Sequence, residues 1–513
     1  MNFKVISRNL GKVLLVNALF LFLSVLMSIY DGLDEGFAPL TISFLIAFII
    51  GAFPFIFVRE VPETKIREGF VIIFLAWLLS FIVGMLPYVL YGGDFTVINA
   101  WFESVSGYTT TGSTILTDIE SLPRSLLFWR SSTHYIGGMG VIVFILLILP
   151  DSAPFKLKLS NLEISSMSRT GYRYKAGKTI RVMFTVYLGL TIVETMLLWA
   201  AGMTLFDAVN HSLSTVATGG FSTRNISVMY YDSPLIDVII MVFMALSAMH
   251  FGVIYAVFDK RSLKPLASSV TRYYFAVIGI LSLGVMLVLK LQGGYDTWGK
   301  ALLDGSFQVT SYLSTTGFGQ ADNSVWPFLA NFLLLYAGFH CGCSGSTTGG
   351  VKADRMLIAF KGIHNEFRRR LHPSSLFRIR LDGNPVRNDV LSSVFLYIVV
   401  YLFFMMMSFI ILLLCGIEVS EAFSGTLASL GNVGPGIGSL GTMGNYDAMP
   451  SVAKLIFTFM GEENRDKIES LISEFEGSKA YVLDGASEDE KVKEVFTKIR
   501  EENGKIDGIV HAI

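Results

Sequence analysis

The chain has 513 residues, of which 52% are hydrophobic and 16% charged, with a mean hydropathy of +0.57 and a formal net charge of −1. These values exclude a soluble globule and describe a polytopic membrane protein. The three cysteines, Cys341, Cys343 and Cys415, imply neither a disulfide framework nor a zinc site.

The first apolar run, at about 10–30, outlasts a signal-peptide core and has no small-residue cleavage site after it, so it reads as a retained first helix. A second span follows at about 37–58. From there one pattern recurs four times: a span, a short amphipathic stretch rich in Ser, Thr and small residues, a glycine turn, and a second span. The paired spans fall at about 69–91 and 125–149, 180–202 and 235–257, 274–292 and 326–360, and 388–416 with a last one from about 449. The stretches between them run through 100–108 into Thr109-Thr110-Thr111-Gly112-Ser113, and through 207–214 into Ala217-Thr218-Gly219-Gly220-Phe221. The third runs through 304–311 into Thr315-Thr316-Gly317-Phe318-Gly319, and the fourth through 421–426 into Asn432-Val433-Gly434-Pro435-Gly436. With central glycines set at 112, 219, 317 and 434, the period is about a hundred residues, an array of one ancestral unit.

A bilayer needs ~20 helical residues to be crossed, so each short stretch must dip in and return. Non-helical backbone at that depth survives only where protein shields it or where it lines a water-filled path. Four such loops around one axis make a ring of carbonyl oxygens, the hardware of a cation selectivity filter. Glycine supplies the positive φ angles that turn successive carbonyls inward. Since only one glycine is common to all four loops, selectivity is expected to be moderate. The helix before each loop is expected to aim its C-terminal dipole at the cation. Glu103, Asp207, Asp304 and Glu421 read either as an outer negative field or as helix caps.

Span 326–360 is interrupted by a run of Gly, Ser and Thr from Gly338 to Gly350. It should break into an irregular loop under the filter, the alternative being a small-residue packing face between helices. His134, His211, His250 and His340 read as hydrogen-bonded packing residues, and Arg130 as a snorkelling side chain. Basic residues crowd the N-terminus (Lys4, Arg8, Lys12), 151–181, 259–272 and 361–387, while alternate connections carry Asp31, Asp34, Glu35, Asp118, Glu120 and Asp296. The positive-inside rule then puts the N-terminus in the cytoplasm and all four loops outside. Arg368-Arg369-Arg370 reads as a lipid contact, a topogenic anchor or a docking face. Beyond Met460 the chain turns charged, with a helix–strand–helix–strand rhythm, and the last span reads as truncated. The expected architecture is an all-α polytopic membrane protein: two N-terminal helices (1–66), four span–pore loop–span repeats around a central pore (67–160, 161–265, 266–365, 366–460), and a small α/β soluble tail (461–513).

The four loops, the basic segments and the interrupted span together resemble the Trk/Ktr/HKT superfamily of potassium transporters, on its TrkH-like branch, over residues 1–460. The resemblance implies potassium uptake across the bacterial inner membrane by a homodimer with one pore per subunit. It also implies a cytoplasmic ring of nucleotide-binding, TrkA-like regulatory subunits. It assigns the potassium filter to Thr110, Thr111, Gly112, Thr218, Gly219, Gly220, Thr315, Thr316, Gly317, Asn432, Val433 and Gly434. It assigns an intramembrane gating loop to Gly342, Ser344, Gly345, Ser346, Thr347, Thr348, Gly349, Gly350 and Lys352. Potassium is the transported substrate; no organic cofactor and no nucleic-acid partner is expected. Coupling of potassium to protons or sodium is the alternative. Residues 462–513 resemble a piece of enoyl-acyl-carrier-protein reductase, on 479–484 and 507–513. Without a glycine-rich dinucleotide turn, that piece implies no enzyme, and a membrane-anchored reductase is the weakest alternative.

Overall fold

Long apolar runs fold as long helices because only a helix satisfies its own backbone groups in lipid. The computed structural model describes residues 2–58, 66–148, 176–372 and 377–459. It opens with α1 (Phe3–Tyr30) and α2 (Phe37–Phe57), an antiparallel pair joined by a short turn. The first repeat is α3 (Ile66–Tyr91), α4 (Val97–Tyr108) and α5 (Arg124–Ile148). The second is α6 (Ala176–Ala200), α7 (Leu205–Val216), α8 (Pro234–Ser247) and α9 (Phe251–Lys260). The third is α10 (Ser269–Gln292), α11 (Trp298–Leu313), α12 (Phe328–His340) and α13 (Ala353–Leu371). The fourth is α14 (Asn388–Leu414), α15 (Val419–Gly431) and α16 (Ser451–Phe459). All belong to one compact unit, Met1–Glu469.

Among the described residues, six helices are long and apolar enough to cross a membrane, seven if the bent pair of α8 and α9 is counted as one span. That bend corrects the sequence reading. The expected single helix at 235–257 is broken at 248–250, and its halves meet at 99°. His250 caps α9 by accepting from the Gly252 amide at 2.9 Å. α5 differs in another way. Residues 125–140 are buried apart from half-buried Phe128 and Gly138, so this helix carries Arg130, Ser131, Ser132, Thr133 and His134 inside the protein.

The one sheet among the described residues is a two-residue hairpin, β1 (Arg380–Leu381) with β2 (Asn384–Pro385), turning at Asp382 and Gly383 with positive φ at both. Asp382 accepts from the backbone and hydroxyl of Ser269 at 2.7 Å, which ties the turn to the start of α10. The tail expected at 461–513, and the continuation of the last span beyond Phe459, lie outside the described residues.

Candidate functional site

Four short helices dip into the fold: α4, α7, α11 and α15, of 12, 12, 16 and 13 residues. At about 1.5 Å per residue none of them spans a bilayer. Three start on a threonine whose side chain caps the first turn: Thr96 accepts from the Asn99 amide, Thr204 from Asp207 and Thr297 from Lys300. Each helix ends directly before a loop with one conformation. Thr110, Thr218, Thr315 and Asn432 have φ of 58°, 57°, 57° and 54°; two residues on, Gly112, Gly220, Gly317 and Gly434 have φ of 78°, 81°, 77° and 91°.

This pairing corrects the register of the second loop. Gly220, not Gly219, is the counterpart of Gly112, Gly317 and Gly434. Gly219 stands where the other loops place Thr111, Thr316 and Val433.

The four loops close into a ring. A Cβ on Gly112 would overlap the carbonyl oxygen of Gly219, one on Gly220 that of Thr316, one on Gly317 that of Val433, and one on Gly434 that of Thr111. Each glycine thus seats the carbonyl of the next loop, in the order first, second, third, fourth and back to the first. The four glycines line one cavity of about 90 Å³, with Ser113, Arg130, Phe221, Pro435 and Tyr446 also in its wall.

Behind the ring, hydroxyls brace two of the four loops in the same way. Thr109 Oγ1 and Thr111 Oγ1 are 2.8 Å apart, as are Ser314 Oγ and Thr316 Oγ1. Ser106 Oγ donates to the Ser113 carbonyl at 2.6 Å and Ser311 Oγ to the Phe318 carbonyl at 2.7 Å. The second and fourth loops have Ala217 with Gly219 and Gly431 with Val433 at the places of the first hydroxyl pair. In the fourth, Tyr446 steadies Gly434 by donating its hydroxyl to that carbonyl at 2.9 Å.

The carboxylates near the loops are all hydrogen-bonded, and Glu103 and Asp207 are ion-paired. Glu103 is fully buried and binds Arg130 Nε at 2.6 Å; it also accepts from Thr114 Oγ1 and the Ile115 amide. Arg130 donates further to the Ser222 carbonyl at 3.2 Å and covers the Phe221 ring at 3.8 Å. The expected snorkelling of Arg130 is therefore wrong: a buried carboxylate holds it inside. Glu103 is likewise neither a cap nor an outer field, because it sits inside α4 and anchors the strand after the first loop. Asp207 binds Arg224 at 3.0 Å and Thr223 at 2.6 Å. Asp304 accepts from Tyr295 at 3.0 Å, and Glu421 from Ser439. The histidines are hydrogen-bonded packing groups, as read: His211 meets the Asp207 carbonyl and Ser222, and His340 meets the Cys341 carbonyl and Tyr273.

Residues 341–352 form the expected break, between α12 and α13. The segment runs beneath the ring. Thr347 Oγ1 donates to the carbonyl of Val216, the last residue of α7, at 3.2 Å. The Gly349 amide donates to Thr315 Oγ1 at 3.3 Å, and a Cβ on Gly349 would overlap the Gly431 carbonyl. Gly350 accepts from the Tyr397 hydroxyl, Ser344 is tied to Asp354 at 2.6 Å, Ser346 meets Thr348 at 2.8 Å, and Lys352 is buried. The segment also docks on the kink of the second repeat. The Cys343 amide donates to the Ala248 carbonyl at 2.8 Å, Gly342 packs on Ala248, and the Phe251 amide donates to the Gly345 carbonyl at 3.0 Å. The glycines serve close approach here, so the irregular loop that forms is closely packed. The kink itself escaped the sequence reading because Ala248-Met249-His250 is ordinary helix composition.

Apolar spans, four re-entrant helices and a closed ring of loops define a polytopic membrane protein of four span–loop–span repeats around a central pore. The family model of TrkH, a cation transport protein, matches residues 39–472. The chain belongs to the TrkH family. The Trk system potassium uptake protein TrkH of Salmonella typhimurium is 35% identical over 365 residues, covering 71% of this chain and 75% of the relative. TrkG of Escherichia coli K12 is 33% identical over 389 residues, covering 75% and 79%. The crystal structure of the potassium transporter TrkH from Vibrio parahaemolyticus superposes with a TM-score of 0.81 at 29% identity, over 93% of this chain and 99% of that one. These relatives are transporters and not enzymes, which removes the reductase alternative. The expected reductase resemblance of the tail is not borne out either: the family match passes the composition change at 460 and runs on to 472.

Proposed function

We propose that this chain takes up potassium across the bacterial inner membrane through a channel-like pore. Its filter is the carbonyl ring of Thr110–Gly112, Thr218–Gly220, Thr315–Gly317 and Asn432–Gly434, and its gate is the segment from Gly342 to Lys352. The observation that carries this reading is the closed ring, in which each loop's positive-φ glycine abuts a carbonyl of the next loop. Potassium must shed water in a narrow path, and a ring of carbonyl oxygens can replace that water. The C-terminal ends of α4, α7, α11 and α15 adjoin the loops, so their dipoles favour a cation there. The gate rests on the contacts of Thr347 and Gly349 beneath the ring.

The domain division at 66, 160, 265, 365 and 460, the cytoplasmic N-terminus, the homodimer and the nucleotide-binding cytoplasmic ring are parts of the same proposal. Arg368, Arg369 and Arg370, exposed at the end of α13, suit the docking face for that ring: Arg369 and Arg370 pair with Glu366 only at 3.7 Å, and Arg368 lies over the Phe377 ring at 4.7 Å. The test is reversal potential in proteoliposomes under potassium and sodium gradients. A potential that follows the potassium gradient supports the reading; one indifferent to which cation is graded overturns it.

A second reading, proton-coupled transport, has one observation in its favour. Glu194, in the last third of α6, is fully buried, and the Thr215 hydroxyl is the one group set against its carboxyl. An uncompensated carboxyl at membrane depth is a candidate proton carrier. A reversal potential that moves with a pH gradient, and stops moving in Glu194→Gln, would favour coupling.

A further inference from the structure

The second loop lacks what holds the first and third. At the positions of the Thr109–Thr111 and Ser314–Thr316 hydroxyl pairs it has Ala217 and Gly219, and Ser214 stands where Ser106 and Ser311 reach the strand carbonyl. Ser214 does something else: its hydroxyl lies 3.2 Å from His134 Nδ1. His134 comes from α5 of the first repeat and is fully buried. Its ring occupies the space where a side chain at 219 would go, since a Cβ on Gly219 would overlap its Nδ1 and Cγ. The Phe221 amide points to the same nitrogen at 3.4 Å. An amide can only donate, so Nδ1 accepts and the proton of the neutral ring sits on Nε2. The Phe221 ring stacks on the imidazole at 4.0 Å and 16°, and the Arg130 guanidinium, one turn earlier on α5, lies 3.8 Å from the same ring.

We propose that His134 is the positioning residue for the second quadrant of the ring: its imidazole replaces the missing side chain at 219 and fixes the Gly219 carbonyl against Gly112. The inference rests on the reading of the loops as a filter and adds to it why one quadrant carries two adjacent glycines. Gly219 and His134 are two halves of one packing unit. A larger residue at 219 requires a smaller one at 134.

That reciprocity is testable with the full chain in proteoliposomes, reading the potassium/sodium permeability ratio. His134→Ala opens a void behind the strand, and Gly219→Ser forces a clash; each is expected to lower the ratio several-fold. The double variant H134A/G219S places a side chain into the vacated space, as at Thr111 and Thr316. It is expected to recover the ratio, with a coupling of about tenfold beyond additivity, within the range for touching residues. His134→Asn, which keeps an acceptor for the Phe221 amide, serves in the same cycle if His134→Ala fails to fold. A ratio unchanged by substitution of His134, or a double variant no better than the worse single one, overturns the proposal. Gly112→Ala and Gly317→Ala are the controls. If they change the ratio and His134→Ala does not, only the role of His134 falls. If they leave it unchanged, the filter reading falls first.

Discussion

At the scale of single residues the ring is decided by steric room. Gly220 at φ 81° sits against the Thr316 carbonyl, so Gly220→Ala must both strain the backbone and displace that oxygen. It is expected to lower the potassium/sodium permeability ratio more than Gly189→Ala in α6, whose Cβ would meet nothing within 4 Å. Equal ratios in these two variants would sink the filter reading. The buried Arg130–Glu103 pair supplies a second expectation. Removing one partner leaves an uncompensated buried charge, which costs roughly 3–5 kcal/mol, whereas removing both costs less. Arg130→Met should therefore reduce the thermal stability of the purified protein more than the double variant R130M/E103L. The positive-φ glycines were legible in the sequence, but Gly219-Gly220 offered two registers, and the left-handed Thr110, Thr218, Thr315 and Asn432 were not anticipated. Only the spacing of two residues between left-handed positions, shared by all four loops, separates the two registers. The partners of these residues were not legible: His134 lies 87 residues before Phe221 and Arg130 lies 27 after Glu103. Side-chain type alone suggested packing for one and snorkelling for the other.

At the scale of elements, the repeat was plain in the sequence, because an apolar span and a Ser/Thr-rich stretch ending in glycine differ sharply in composition. The break at 341–352 was plain for the same reason. Its firmness was not, since backbone contacts such as Cys343 to Ala248 and Phe251 to Gly345 leave no mark on composition. Those contacts join the interrupted spans of the second and third repeats into one floor under the ring. A floor held by hydrogen bonds and by Thr347 and Gly349 opens only when several of them are lost together. Removing 345–349 is accordingly expected to raise potassium flux in proteoliposomes, while Thr347→Ala alone should change it by less. A flux lowered by the deletion, in protein that remains monodisperse, would overturn the gate.

At the scale of the whole molecule, basic and acidic connections alternate along the chain, and the proposed topology follows from that pattern by the positive-inside rule. Single cysteines placed at the Lys264 and Asp296 positions should be labelled by a membrane-impermeant thiol reagent only from the inside and only from the outside, respectively. Labelling of both from one side would contradict the proposed topology. Because the ring runs first, second, third, fourth, the hydroxyl-braced first and third loops face each other across the axis. The second and fourth, held by an imidazole from α5 and by the Tyr446 hydroxyl, form the other diagonal. The two diagonals are therefore held differently: one by hydroxyl pairs within its own loops, the other by His134 from another repeat and by Tyr446, twelve residues beyond Gly434. An oversized ion is expected to widen the diagonal that lacks the hydroxyl pairs. Rubidium and caesium passage should consequently respond to changes at His134 and Tyr446 before it responds to changes at Thr109 or Ser314.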